Sequence, residues 1–126
     1  YSNIQKEIVE IKPGTHSISN HLLNTPWPKV ERAKEKLKEY VMQHEDIDVE
    51  HLFEQLDDRE IARDEDLPDT GVGLELERQL SPIFIKTENY GTRASTVILV
   101  DNENRTTFIE RTFNSGSFKF ERKFTF

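Results

Sequence analysis

Two short polar clusters hold the residue types that could do chemistry. Ser17-Ile18-Ser19-Asn20 closes a stretch that reads as a strand, and Gly91-Thr92-Arg93-Ala94-Ser95 opens another. An asparagine amide can donate to a developing oxyanion. An arginine can hold a carboxylate, or support an anionic nucleophile by charge. The residue types also leave plainer readings open, with Asn20 as a turn residue and Arg93 as a structural ion-pair partner. Other sources of chemistry are weaker. The four histidines (His16, His21, His44 and His51) show no metal spacing such as His-Glu-x-x-His. The absence of cysteine rules out disulfides, thiolate metal ligands and a cysteine nucleophile within this chain. The five glycines form neither a GxGxxG nor a phosphate-binding loop. The "DTGVG" stretch lacks the strand that an aspartic-protease motif requires before it, because "RDEDLP" is acidic and interrupted by proline. The acids around it do not follow EF-hand spacing. No metal and no cofactor are expected.

Positioning Asn20 and Arg93 is the task of a small domain. The 126 residues fit one unit, and only 34% are hydrophobic, with a mean hydropathy of −0.73. So thin an apolar supply implies an elongated or helix-covered domain, a partly disordered one, or a piece of something larger. A net charge of −7 argues against sequence-independent binding to nucleic acid or to anionic membranes. No apolar run approaches a membrane span, and no signal peptide opens the chain. A soluble, cytoplasmic protein is expected. The chain begins at Tyr1 without an initiator methionine, which reads as a processed product or a fragment.

Along the chain, "IQKEIVEIK" is β-branched, Pro13-Gly14 signals a turn and "THSIS" returns, so residues 7–19 read as a hairpin. Two prolines flank Trp27, the single tryptophan, which fits either a core plug under a loop or one wall of a ligand pocket. Val30, Ala33, Leu37, Tyr40 and Val41 then fall at helical spacing as far as His44. Asp48 is a candidate N-cap for a second helix carrying Val49, Leu52, Phe53 and Leu56. An acidic loop follows, and then a short helix over 74–80 closed by Pro82. The last third is β: a strand at 83–86, strands at 92–101 and 105–113, and a strand over 117–126. In that last strand Phe118, Phe120, Phe124 and Phe126 alternate in phase. The order predicts an α+β fold, antiparallel strands with helices packed on the outside.

Three blocks of this sequence resemble successive blocks of the NRDE family, which includes the transport and Golgi organisation 2 proteins. They are "PGTHSISNHLLNTPWPKVERAKEKL", "LPDTGVGLELERQLSPIFI" and "YGTRASTVILVDNENRTTFIERTF". The resemblance covers the C-terminal half of that family's domain. The N-terminal half, with a cysteine after the initiator methionine and the Asn-Arg-Asp-Glu motif, would be absent from residues 1–126. The family looks like an N-terminal-nucleophile hydrolase, an αββα sandwich of which this chain would be half. By analogy with choloylglycine hydrolases and penicillin V acylases, a cysteine thiolate would attack a linear amide with its own α-amino group as base. Asn20 would then help form the oxyanion hole and Arg93 would support the nucleophile's charge. Trp27, Thr92 and Ser95 would line the substrate, with Gly91, Thr92, Ala94 and Ser95 small enough for close approach.

The resemblance implies a hydrolytic protein whose missing half is its main partner and whose small-molecule substrate is open. Residues 1–126 alone would be inactive. The alternative is a non-catalytic binding or trafficking module for a haem- or lipid-like ligand. A third reading makes the chain an interaction domain, with "FKFERKFTF" as a partner-binding edge.

Overall fold

A computed structural model describes residues 1–126. Helix α1 spans Pro28–Gln43 and starts where Pro28 is pre-set for a first helical turn. Its apolar stripe buries Val30 and Tyr40. Helix α2, Val49–Leu56, is capped by Asp48, whose carboxylate accepts from Glu50 N at 2.9 Å. The two helices are tied by Tyr40: its hydroxyl accepts from Asp48 N at 2.7 Å, and its ring stacks on His51 with centroids 4.2 Å apart. A single 3-10 turn, Asp64–Asp66, leads to α3, Leu74–Leu80. The acidic stretch around that turn is held by cations, Asp64 by Arg78 at 2.6 Å and Asp66 by Arg63 at 2.9 Å.

Strands β1 (Ala94–Val100), β2 (Thr106–Asn114) and β3 (Ser117–Thr125) form one antiparallel sheet in the order β1-β2-β3. The register sets Val97 opposite Ile109, and Ile98 opposite Phe108. Alternation therefore sends Val97, Leu99 and Ile109 to one face and Ile98, Val100, Phe108 and Phe124 to the other. Helix α2 covers the first face: Phe53, Val97 and Ile109 form the buried core, with Val49, Leu52, Leu56 and Leu99 packed around them. The second face has no helix over it. Ile98, Val100 and Phe124 are each at least half exposed there (58%, 65% and 50%). The α+β architecture with helices on one side of an antiparallel sheet agrees with the sequence pattern.

Three expectations are corrected. The hairpin over 7–19 does not form. Before α1 the only strand-like pairing is an isolated bridge between Ser2 and Glu7. Ile8 and Val9 are adjacent rather than alternating, and both stay exposed, as do Ile4, Ile11 and Ile18. A strand needs a neighbour for its backbone and cover for one face, and this segment has neither. Residues 83–86 form no strand either. Phe84 is buried, but its N–H goes to Asp58 O at 2.8 Å, and Lys86 makes only an isolated bridge to Gly91. Third, the phenylalanines of β3 are not all in phase. The register shifts between Thr112 and Phe113, so Thr112 faces Phe120 while Phe113 faces Phe118, skipping Lys119. The bulge sends Phe118 to the α2 side, its ring edge-on to Phe113 with centroids 6.4 Å apart.

Candidate functional site

Asn20 and Trp27 meet in one small hollow of about 70 Å³, walled also by Lys29, Thr70, Glu77 and Ser81. Trp27 stands at the N-cap of α1, where the non-helical Thr-Pro-Trp-Pro backbone turns into the helix. Glu77 reaches in from α3 and is buried. Its Oε1 accepts from Thr70 N at 2.7 Å and from Thr70 Oγ1 at 2.6 Å. Lys29 Nζ donates to Leu80 O, the end of α3, at 2.8 Å. Burial pushes the Lys29 ammonium below the ordinary lysine range, partly offset by the Glu77 charge.

Asn20 itself is exposed, and its side chain makes no hydrogen bond within the chain. The turn work expected of it falls to Asn24. Asn24 has φ +57°, accepts from Ser17 N through Oδ1 at 3.0 Å, and bonds His16 Nδ1 through Nδ2 at 3.0 Å. Asn20 is thus an unengaged amide donor beside Trp27 and the buried Glu77.

Thr92 and Arg93 line a different hollow, about 500 Å³ and mostly polar, between the 86–91 loop and the β2–β3 turn. Thr92 is occupied structurally: its N–H goes to Ile85 O at 2.8 Å, and its hydroxyl accepts from Ile85 N at 2.9 Å. Gly91 is required there, since a Cβ would lie 2.8 Å from Ile85 O. Arg93 is exposed and enters none of the chain's ion pairs, contrary to its plainer reading as a structural partner. Ser95 lines a third hollow of about 390 Å³ under α2, with Phe53, Arg111 and Glu121. A fourth hollow of about 400 Å³ lies between α1, α2 and β1, and it is apolar, lined by Leu37, Val41, Ile47, Leu56 and Leu99 among others.

The five residues singled out in the sequence therefore lie in three places, and no group of three or more His, Asp or Glu is arranged to share a metal. Sequence reasoning missed Lys29 and Glu77, and also Lys86, which lines the hollow of Arg93. Glu77 sits in "LELERQL", where every acid looks solvated, and only the docking of α3 shows which one turns inward.

Residues 1–115 match the family model described as Transport and Golgi organisation 2. The chain belongs to this family. It is 34% identical over 114 residues to the mouse protein named Transport and Golgi organization 2 homolog, covering 85% of this chain. The bovine homolog is 36% identical over 115 residues, and the Drosophila melanogaster Transport and Golgi organization protein 2 is 30% identical over 121. In each case the chain spans about 41% of the relative's length. The family match covers residues 1–115, so it takes in the irregular leading segment, Asn20, β1 and β2, and ends before β3.

Proposed function

We propose that this chain forms the C-terminal half of an N-terminal-nucleophile hydrolase acting on a linear C–N amide bond, within the transport and Golgi organisation 2 family. The observation that carries the reading is the uncovered sheet face. Ile98, Val100, Phe108 and Phe124 present a continuous apolar surface opposite the helix-covered core. Such a surface in water favours burial by about 25 cal/mol for each Å² removed. A second sheet laid on it would make the αββα sandwich and bring in the nucleophile this chain lacks. The relatives' greater length supplies the material for such a layer. Asn20 offers the oxyanion donor, and Arg93 the cation that steadies a thiolate or the developing negative charge. The two line separate hollows, so in this reading the covering layer bridges them and the reaction occurs between Asn20 and the start of β1, where Arg93 stands.

The test is amide turnover by the intact protein on a panel of N-acyl amides, with and without thiol alkylation. Alkylation abolishes turnover, and Asn20→Ala lowers kcat about 100-fold, the usual loss for one oxyanion donor. Turnover that survives both changes would sink the reading.

A second reading has its own observation. The apolar hollow between α1, α2 and β1 suits a lipid- or haem-like ligand held without reaction. Saturable haem binding by the intact protein, without any amide turnover, would favour it.

A further inference from the structure

The hollow around Arg93 has a chemistry of its own. In this acidic chain, with 24 acids against 17 bases, nearly every arginine is engaged by another side chain, so an arginine without a partner stands out. Of the arginines, Arg32, Arg59, Arg63, Arg78, Arg105 and Arg111 are in ion pairs, and Arg122 lies over the Phe120 ring at 5.0 Å. Arg93 has neither kind of partner. Lys86, on the same hollow, is also outside every ion pair. Its stem lies against Gly116, where a Cβ would come within 2.4 Å of Lys86 Cδ. The glycine thus gives Lys86 its lane.

The rim is shaped by backbone. Ser115 and Gly116 turn β2 into β3 with φ of 49° and 74°, and neither donates its N–H to another backbone group. On the other side, Thr87 and Tyr90 clamp the 86–91 loop: Thr87 N donates to Tyr90 O at 2.8 Å, and Tyr90 N donates to Thr87 Oγ1 at 3.0 Å. The hollow is thus lined by two cations outside every ion pair, by the Ser115-Gly116 turn and by one carboxylate, Glu88.

We infer that this hollow binds an oxyanion, the carboxylate or phosphate group of an organic ligand, with Arg93 as the planar two-pronged donor and Lys86 as the second charge. Arginine suits either group because its paired N–H donors match two oxygens at once. Glu88 limits the affinity and rejects more highly charged ligands. The assignment deepens the hydrolase reading by making the work of Arg93 the binding of an anionic end of the substrate in place of thiolate support, and it rests on that reading only in calling the ligand a substrate.

The experiment is titration of the intact, isotope-labelled protein with inorganic phosphate and, separately, with acetate, following the Gly91 and Gly116 amide resonances. Sodium chloride at matched ionic strength is the control. Saturable shifts are expected for at least one anion and not for chloride, and the tighter of the two identifies the class. Arg93→Gln and Lys86→Gln each weaken binding about tenfold, Arg93→Lys loses less, and Glu88→Gln tightens it. Gly116→Ala, which crowds Lys86, weakens binding without touching a charge. No saturable shift, or affinity unchanged from the wild type in Arg93→Gln and Lys86→Gln, overturns the inference. Binding that persists in a protein with no amide turnover leaves the anion site standing and removes the hydrolase reading.

Discussion

The Arg111 guanidinium lies 4.0 Å from the centre of the Phe53 ring. It joins the sheet to helix α2 by charge as well as by packing, since Arg111 also bonds Glu50 of α2, and Glu121 of β3 at 2.8 Å. Burial opposes the charge, but Glu121 and Glu50 outweigh it and hold the guanidinium above its ordinary range. Phe53 is the helix's only contribution to the buried core, so this contact fixes how α2 sits on the sheet.

Arg111→Ala therefore costs stability in two ways, through the lost cation–π contact and through two carboxylates left without a partner. The expected loss is about 1–2 kcal/mol, read as a lower urea midpoint with an unchanged slope. Arg111→Lys recovers part of it, because an ammonium cannot serve ring and carboxylates from one plane. A variant as stable as the wild type would show that α2 is held by apolar contacts alone.

Asp58 makes the fold sensitive to acid. Its carboxylate, 5% exposed, takes Arg32 Nε at 2.9 Å and Lys36 Nζ at 2.7 Å. Burial alone would raise its pKa. The Lys36 hydrogen bond, the Glu60 N–H and the two positive charges together bring it below the aspartate range. A native pKa lower than the unfolded one means the unfolded chain takes up the proton first. The contribution is complete above the ordinary value of about 4 and is lost as pH falls through the lowered native pKa. Asp58→Asn is expected to cost about 2 kcal/mol near neutrality. Urea midpoints taken from pH 6 down to pH 2 should show the gap between wild type and variant closing only below about pH 4.

The elements that pack on something within the chain were legible in the sequence. Helices α1 and α2 follow from apolar spacing and from Asp48, and β1 to β3 follow from alternation and the Asn-Ser-Gly turn. Residues 1–27 were not, because β-branched content alone cannot say whether a strand has a neighbour to bond. The same limit applies at the site. Asn20 and Arg93 could be singled out by residue type, but whether each was already occupied depended on contacts distant in sequence. Asn24, four residues on, is as plausible a turn former on paper, and only its φ and its bonds to Ser17 and His16 separate it from Asn20.

That separation can be measured. Asn24→Ala loses a side chain suited to the left-handed region together with two hydrogen bonds, and should cost about 1–2 kcal/mol. Asn20→Ala removes a side chain bonded to nothing in the chain and should shift stability by less than about 0.5 kcal/mol. Thermal unfolding of the two variants side by side decides the point. If Asn20→Ala is as damaging as Asn24→Ala, Asn20 is a structural residue and its oxyanion role loses its footing.

The bare sheet face yields the remaining prediction. Phe124 stacks with Phe126 at 6.4 Å and sits across from Phe108, on the side away from α2. If another layer covers it in the intact protein, Phe124→Ser removes a buried aromatic side chain and costs about 2–3 kcal/mol. A loss under about 0.5 kcal/mol would mean the face stays in water, and the sandwich reading would lose its main support. Hydrogen exchange on the same protein separates a third arrangement. A partner that adds a strand along the free edge of β3 protects β3 amides and leaves Phe124→Ser harmless, because edge pairing takes up backbone groups and leaves the face open. A covering sheet produces the opposite pairing of results: a costly Phe124→Ser, with the outer amides of β3 still exchanging.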